Sequence, residues 1–489
     1  MNEKVIFIVT FVAYLLVMLG IGLYFYSKTE SLSEYVLGDR KLGIWGTSIS
    51  AQASDMSGWL LLGLPGAAFT TGLSGSLWMA LGLATGTYLN WKFIAKRLRV
   101  YTEDYSDSIT IPSYLENRFK DNSKVLRVAS AVFILLFFLI YTSSGFVAGG
   151  KLFETVFGIP YTYAVLIGAL VVIVYTFLGG FMAVCWTDVV QGILMFSVIV
   201  VLPIIVIFKN GGLSGTSSFI DPILLNPVHI PFLTPIEGAG AGLAAISIIS
   251  SLAWGLGYFG QPHILARFMA IKDPKEIDAA RFIAMVWVVL SLAGALAVGL
   301  VAHSVFPSLS VTDSERIFIL LISETVPALL SGVFLCAILA SVMSTADSQL
   351  LVTASTISED FYKALIKPNA TDKELVLISR ATVVIVAIIA FLIALKPDSS
   401  VLNLVSYAWA GFGSAFGPVI LISLFWKGMT RNGAAAGMIV GGITSAVWPV
   451  LRNNFPDVAL FQFYEIVPGF LIAVIFIFLF SRTKIANRV

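Results

Sequence analysis

Long apolar stretches alternate with short polar segments along the whole chain. A helix needs about 20 mostly apolar residues to cross a bilayer, and the 489-residue sequence contains thirteen stretches of about that length. They cover residues 5–26, 44–71, 74–95, 127–156, 162–181, 188–208, 241–262, 282–305, 327–351, 378–395, 400–426, 432–451 and 460–481. Composition supports the same class, because 58% of the residues are hydrophobic and 12% are charged, against about 25% charge in soluble proteins. The pattern predicts an all-α polytopic membrane protein of about 13 transmembrane helices, surrounded by a lipid bilayer.

The positive charges favour one orientation in the membrane. An odd number of spans places the two termini on opposite sides. With the N-terminus outside, six of the 30 Lys and Arg residues lie on the outer side: Lys4, Lys151, Lys209, Arg316, Lys396 and Arg452. The positive-inside rule therefore predicts a cytoplasmic C-terminus. No basic run suggests a nucleic-acid partner, and no obligatory protein partner is evident. Cys185 and Cys336 both lie in apolar stretches, which argues against a disulfide framework.

One carboxylate, that of Asp55, interrupts the second apolar stretch. An ionised Asp in hydrocarbon costs roughly 2.5–3.5 kcal/mol on insertion scales, so such a residue faces a cavity or a partner and marks a transport pathway. Residues that weaken a helix surround it: Ser54, Ser57, Gly58, Gly63, Pro65 and Gly66. We therefore predict that the second helix breaks near Asp55 and exposes backbone oxygens.

The seventh apolar stretch contains a matching weak point. Three glycines and a proline fall within residues 255–262. The two breaks would open two sets of five spans, and an odd number of spans gives the two sets opposite orientations, as in inverted-repeat transporters. The predicted organisation is a first helix with an inner loop (1–43), a first repeat (44–208), an outer loop (209–240), a second repeat (241–426) and two peripheral helices (427–489). The alternative is that the glycines only allow close helix packing.

Several polar residues in the apolar stretches could bind a hard cation. Ser341, Ser344 and Thr345 share one helical face, so their hydroxyls can converge on a sodium ion, unless they bond back to their own helix. Asp188 lies at the predicted inner start of the sixth span, where it could cap the helix or handle an ion. Arg40 is either an inner-side anchor or part of the inner exit.

Enzymatic activity is poorly supported by the sequence. The three histidines show no metal-ligand spacing, and no Gly-rich phosphate loop is followed by Lys, so ATP-driven transport is also not indicated. Aromatic residues near the breaks or at mid-membrane depth could instead surround a small solute: Trp59, Tyr141, Trp254 and Tyr258.

The sequence resembles the sodium/solute symporter family over nearly its whole length. The matching segments are residues 50–67 with Ser-Asp-Met-Ser-Gly-Trp, 175–191 with Gly-Gly, 254–270 with Gly-Gln-Pro-His, 343–345, and 407–413. The resemblance implies a LeuT-like core of two inverted five-helix repeats with broken helices 2 and 7. It also implies uptake of L-proline driven by co-transported sodium in a bacterial inner membrane. Symport of another small solute, a passive channel and a sensor on the same scaffold are the alternatives.

The same resemblance assigns roles to individual residues. Asp55 would be the essential acidic group for sodium, and the ion site would comprise Ala53, Met56, Ser341, Ser344 and Thr345. The substrate-side positions would be Ser57, Gly58, Trp59, Tyr141, Trp254, Tyr258 and Pro262. Arg40 and Asp188 would be functionally sensitive. Ser341 with Asp188 also resembles family members that carry a second sodium, so a second ion near these two residues is a further hypothesis.

Overall fold

A computed structural model describes residues 3–26, 31–178, 180–212, 241–397 and 399–481. Within these residues the chain is helical, contains no β-strand, and has a single isolated β-bridge between Leu42 and Ile271. The predicted outer loop and the C-terminal residues 482–489 lie almost entirely outside the described residues. The all-α prediction is therefore confirmed for the described part of the chain.

The helices of the first half follow in order. They are α1 (Glu3–Tyr26), α2 (Leu32–Leu37), α3 (Ile44–Asp55), α4 (Leu64–Leu89), α5 (Lys96–Asp104), α6 (Ile111–Phe119), α7 (Val125–Phe157), α8 (Tyr161–Leu178) and α9 (Phe181–Lys209). Short π-helical segments at Trp59–Gly63 and Asn90–Ala95 precede and follow α4.

The second half continues in the same way. Its helices are α10 (Ala241–Leu252), α11 (Pro262–Ala270), α12 (Ile277–Ala302), α13 (Ile317–Thr325), α14 (Ala328–Ser355), α15 (Asp372–Ala394), α16 (Val401–Ala415), α17 (Gly417–Phe425), α18 (Arg431–Asn454) and α19 (Ile466–Ser481). A 3-10 segment, Val311–Arg316, precedes α13, and a π-helical segment, Thr356–Ile366, extends α14. Eight helical segments in the described residues, one of which joins α16 and α17, are long and apolar enough to cross a membrane.

Both predicted helix breaks are present. Helix α3 ends at Asp55, and Met56 leaves the helical region with φ −85° and ψ 77°. The second break is a 3-10 segment, Ala253–Gly260, followed by Gln261 in an extended conformation and by α11. Gly257 allows this segment to lie directly against the indole of Trp409, because a Cβ at position 257 would overlap that ring.

Several predicted boundaries are wrong. Helix α9 begins at Phe181, seven residues before Asp188, and the second broken helix continues beyond residue 262 to Ala270. The predicted eleventh span is itself divided at Phe416 into α16 and α17. Glycine and proline at 417 and 418 account for this division, since proline is tolerated in the first turn of a helix but not in its interior.

Helix α3 lies in the interior of the bundle. It packs against α9, α11, α12 and α14, while α7 packs against α8, α14, α15 and α16. The outward faces of the peripheral helices carry large exposed apolar side chains, including Leu16, Phe208, Phe282 and Leu377. A bilayer is the solvent that such faces require. The polar residues of α3, α9 and α14 are consequently held inside the protein.

Candidate ion and substrate site

The carboxylate of Asp55 is fully buried at the C-terminal end of α3. Tyr258 Oη donates a hydrogen bond to Asp55 Oδ2 at 2.8 Å, while Oδ1 has no hydrogen-bond partner among the described residues. The backbone carbonyl of Asp55 accepts bonds from Trp59 Nε1 at 3.0 Å and from Tyr141 Oη at 3.2 Å. The two helix breaks therefore meet at Asp55, because Tyr258 belongs to the second one.

The hydroxyls of α14 reach the first helix break. Ser344 Oγ donates to the carbonyl of Ala53 at 2.8 Å. Thr345 Oγ1 is buried and has no partner among the described residues. Ser341 Oγ donates to the Ile338 carbonyl of its own helix at 2.8 Å, as the alternative interpretation of these residues expected. Carbonyl and hydroxyl oxygens of this kind are the ligands that sodium and other hard cations prefer.

Trp254 and Tyr258 both contact Trp409. Their ring centroids lie 6.5 Å and 5.0 Å from that of Trp409. They do not share a face by the α-helical i, i+4 rule, because the segment is a 3-10 helix with about three residues per turn. Trp409 Nε1 donates to the Trp254 carbonyl at 2.8 Å and fixes this aromatic group.

The remaining predicted substrate positions border the same two breaks. Ser57 and Trp59 are buried in the turn after Asp55, and Gly58 lies so close to Ala148 that an added Cβ would be 2.7 Å away. Pro262 is the first residue of α11. The structure thus brings all seven predicted substrate positions to the two helix breaks or to the face of α7 beside them.

Asp188 forms a buried ion pair and does not cap its helix. The N-cap of α9 is Gly180, and Asp188 lies two turns inside. Its Oδ2 accepts from Ser50 Oγ at 2.6 Å and from Arg267 at 3.1 Å, and both charged side chains are fully buried. The capping interpretation is therefore wrong.

Arg267 is a buried cation that the sequence interpretation missed. Its guanidinium also donates to Ser50 Oγ, to the His263 carbonyl and to Ser348 Oγ, and it lies 5.3 Å from the ring centroid of Phe181. The apolar stretch that is predicted to end at Pro262 places Arg267 in a loop outside the membrane. The apolar residues at 264, 265, 268 and 269 were the signal that the helix continues.

Arg40 ties three segments together at the predicted inner end of the bundle. Its guanidinium donates to Asp107 Oδ1 at 2.9 Å, to Thr102 Oγ1 at 3.2 Å, and to the carbonyls of Met269 at 2.6 Å and Ser108 at 3.1 Å. Burial lowers the pKa of Arg40 and the neighbouring Asp107 opposes that shift. Arg40 thus connects the segment before α3 to the end of α11.

The predicted outer end contains a cavity of about 670 Å³. Its lining includes Ser76 and Met79 of α4, Ser250 of α10, Trp254, and Tyr464. Tyr464 stacks on Trp254 with ring centroids 5.3 Å apart. Exposed residues such as Asn403 and Pro456 also line it, so the cavity reaches the surface. We call this cavity the vestibule.

Broken helices that meet around a buried carboxylate, with backbone and hydroxyl oxygens beside it, define a membrane transporter for ions and small solutes. The sodium:solute symporter family model matches residues 35–441. The chain belongs to this family. Its activity is therefore sodium-coupled solute transport and not an enzymatic reaction.

Named relatives are similar over almost the entire chain. The sodium/proline symporter of Salmonella typhimurium is 48% identical over 480 residues, covering 97% of this chain and 92% of the relative. The high-affinity proline transporter PutP of Bacillus subtilis is 47% identical over 470 residues, covering 95% of each. The sodium/proline symporter of Staphylococcus aureus strain JH9 is 44% identical, covering 96% of this chain and 91% of the relative.

Solved structures share the fold at lower sequence identity. A Na+-coupled sialic acid symporter matches with a TM-score of 0.81 at 20% identity, covering 98% of both chains. The nucleobase-cation-symport transporter Mhp1 matches with a TM-score of 0.57 at 13% identity, covering 93% of this chain and 96% of that chain. The chain therefore has the fold of these transporters.

Proposed function

We propose that this protein imports L-proline together with sodium across a bacterial cytoplasmic membrane. Relatives named as proline transporters or sodium/proline symporters are 44–48% identical over almost the whole chain. The observation that carries the proposal within the molecule is the contact between Ser344 Oγ and the Ala53 carbonyl at 2.8 Å. This contact brings the hydroxyls of α14 to backbone oxygens freed by the first helix break.

Sodium would bind between the first break and α14. Its ligands are the carbonyls of Ala53 and Met56 with the hydroxyls of Ser344 and Thr345. Asp55 supplies the negative charge nearby, and its Oδ1 has no partner among the described residues. Ser341 could join this set only after giving up its bond to Ile338. An electrically negative, oxygen-rich site of this type suits a small hard cation.

Proline would bind beside the ion, between the two breaks. Trp254 and Tyr258 form an apolar wall for the ring, with Ser57, Gly58, Trp59, Tyr141 and Pro262 around it. Tyr258 differs from Trp254, because its hydroxyl is bonded to Asp55. Loss of Tyr258 should therefore disturb sodium binding as well as proline binding, whereas loss of Trp254 should affect mainly proline.

The membrane arrangement that we propose has 13 spans, an outer N-terminus and a cytoplasmic C-terminus. Residues 44–208 and 241–426 would form two inverted repeats that move relative to each other in alternating access. Sodium and proline would each favour binding of the other, and this coupling free energy is reciprocal. Because proline is a zwitterion, each cycle with one sodium would carry one net positive charge inward.

Asp188 and Arg40 would act in gating rather than in binding a second sodium. The positive charge of Arg267 already lies beside Asp188, so a further cation there would meet electrostatic repulsion. Reversal potentials in proteoliposomes measure the stoichiometry directly. We expect one sodium per proline, and a ratio of two that falls to one in Ser341→Ala would instead support the second ion.

Uptake of labelled proline into proteoliposomes under a sodium gradient tests the function. Asp55→Asn should abolish uptake or raise the required sodium concentration more than tenfold, which corresponds to at least about 1.4 kcal/mol of lost binding. Thr345→Ala should weaken sodium first and proline second. Thr353→Ala is the matched control, because its buried hydroxyl donates to the Gln349 carbonyl of its own helix. Accumulation of proline without a sodium gradient would contradict the proposal.

A further inference from the structure

His263 is a buried polar side chain that the proposed transport site does not use. It lies in the first turn of α11 and is 0% exposed. Neither Nδ1 nor Nε2 has a hydrogen-bond partner among the described residues. A neutral imidazole always carries one N–H donor, and a buried unsatisfied polar group costs about 1–3 kcal/mol. Unpartnered nitrogens at this depth therefore point to a ligand or water that binds there during transport.

Gln349 is a second side chain with the same property. It lies four residues after Thr345 on α14 and thus on the same helical face, one turn closer to the predicted inner end. Thr142 Oγ1 donates to Gln349 Oε1 at 3.0 Å, and this bond sets the direction of the amide. Gln349 Nε2 has no partner among the described residues, although the side chain is fully buried.

Both side chains border one turn of α7. The ring centroid of His263 lies 5.6 Å from that of Phe138 and 6.1 Å from that of Tyr141, and Gln349 bonds the adjacent Thr142. Tyr141 in turn reaches the Asp55 carbonyl through its hydroxyl. His263 and Gln349 are therefore next to the proposed proline site, where α7, α11 and α14 meet.

The same three helices surround a small cavity further toward the predicted inner end. Its volume is about 20 Å³, which is room for about one water molecule. Ile134, Ala266 and Val352 line it from α7, α11 and α14, and residues 109–112 at the start of α6 close it. The contact region between the three helices thus leads from the proposed proline site to the start of α6.

The N–H donors of two buried neighbours have partners, although acceptor atoms nearby, such as Gln261 Oε1 and Asp188 Oδ1, have none among the described residues. Gln261 Nε2 donates to two backbone carbonyls, and Arg267 donates to two hydroxyls, a carbonyl and a carboxylate. A purely structural role for His263 and Gln349 would call for similar partners. Their free groups include an amide N–H and an imidazole N–H, and these donors suit an anionic oxygen.

We propose that His263 and Gln349 form a second, inner binding position that receives the carboxylate of the amino-acid substrate as it leaves the Asp55 site. This inference rests on the proposed function. The small cavity cannot hold an amino acid in the present conformation, so the position forms when α11 and α14 separate at the inner end. Two N–H donors then replace water around the carboxylate while the apolar part of the substrate passes Phe138.

Two pairs of variants test this position. His263→Phe and Gln349→Leu keep the approximate size and remove the donors, while His263→Gln and Gln349→Asn retain an N–H donor. We expect sodium-dependent proline binding to purified protein to stay within about twofold in all four. Net uptake should fall at least tenfold in the Phe and Leu variants, because release to the inside becomes slow, and should recover substantially in the Gln and Asn variants. The thermal unfolding midpoint of each variant is measured in parallel.

The possible results are distinguishable. Unchanged net uptake in His263→Phe and Gln349→Leu would overturn the inner position. So would a parallel loss of binding, uptake and thermal stability in both, or an absence of recovery in His263→Gln and Gln349→Asn. If the wild-type protein itself failed to accumulate proline with sodium, the proposed function would fall first. The result that supports the inference is normal binding with slow net uptake and recovery by the donor-retaining variants.

Discussion

The two ends of the bundle differ in how firmly they are closed. At the predicted inner end, Arg40 bonds four partners, Arg99 Nε donates to the Ile271 carbonyl at 2.7 Å, and the backbones of Leu42 and Ile271 pair. At the predicted outer end, the vestibule of about 670 Å³ reaches down to Trp254. The cavity at the inner end measures about 20 Å³. Among the described residues, the way to Trp254 is therefore wide at the predicted outer end, and the predicted inner end is closed by bonded contacts.

This difference indicates which step of the transport cycle costs free energy. Opening the inner end requires the breaking of charge-assisted hydrogen bonds, each of which contributes about 1.5–3 kcal/mol. The turn Gly38–Arg40 also stores strain, since Asp39 and Arg40 have φ values of 50° and 53°, a left-handed conformation that costs roughly 1–2 kcal/mol per residue. Release of that strain would partly offset the broken bonds. Bound sodium and substrate would have to provide the remainder.

The largest effect should come from breaking the buried pair Asp188–Arg267 on one side only. Asp188→Asn leaves Arg267 as an uncompensated buried charge, which costs roughly 3–5 kcal/mol. We expect strongly reduced yield of folded protein and loss of uptake. The double variant Asp188→Asn with Arg267→Met removes both charges and should regain thermal stability in detergent. A double variant no more stable than Asp188→Asn would contradict the pairing as the cause.

Arg40→Ala should shift the equilibrium between the two ends. Four hydrogen bonds are lost at the inner end, so the inward-open state should gain at least tenfold in population. Cysteines introduced singly at Ala266 and at Ser250 report on the two sides, since Cys185 and Cys336 are buried. The first should be alkylated faster in Arg40→Ala and the second more slowly. Equal changes at both positions would indicate general loosening of the fold.

The outer end has its own ion pair, which should respond to pH. Glu315 Oε2 lies 2.5 Å from Lys151 Nζ, and its carboxylate accepts the backbone N–H groups of Val401 and Leu402 at the start of α16. Burial alone would raise the pKa of Glu315, but Lys151 and these N–H donors hold it below its ordinary value of 4.5. A carboxyl with a lowered pKa in the folded protein contributes stability above its unfolded pKa and loses it as pH falls through the folded pKa.

Glu315→Gln should therefore lower the thermal unfolding midpoint at pH 7, by an amount equivalent to about 1–3 kcal/mol. The difference from wild type should shrink progressively below pH 4.5 as the wild-type carboxyl becomes protonated. Glu154→Gln is a useful comparison, because Glu154 forms a more exposed pair with Arg316 at 2.6 Å. A difference for Glu315→Gln that is independent of pH would show that size and shape, not charge, hold this contact.

The sequence predicted what depends on local composition. The two breaks follow from Asp55 with its neighbouring Gly and Pro residues and from the three glycines before Pro262, because these residues weaken a helix wherever it lies. The face of α14 with Ser341, Ser344 and Thr345 follows from helical periodicity. Their role as sodium ligands, like that of Asp55, stays a prediction.

Contacts between distant segments could not be predicted in the same way. The pairing of Asp188 with Arg267 joins residues 79 positions apart, and that of Ser50 with Asp188 joins residues 138 apart. No local pattern indicates which of many polar residues meet after packing. The polar residues Thr187 and Asp188 resemble a span boundary, so the predicted sixth span starts at 188, although Gly180 is the residue that precedes the helix.

The smallest effect should come from removing an ion pair at the inner end that joins no second segment. Lys41 Nζ lies 3.1 Å from Asp39 Oδ2, but both belong to the same turn and the Lys41 side chain is 66% exposed. Exposed pairs contribute about 0–1 kcal/mol, and this one joins no second segment. Lys41→Ala should therefore leave the rates of uptake and of cysteine alkylation at positions 266 and 250 within about twofold of the parent, with the thermal unfolding midpoint unchanged.

Because Lys41 is adjacent to Arg40, this variant separates loss of charge from loss of the connection to Met269 and Ser108. A Lys41→Ala variant that opened the inner end as far as Arg40→Ala would show that net positive charge, and not these specific bonds, keeps it closed.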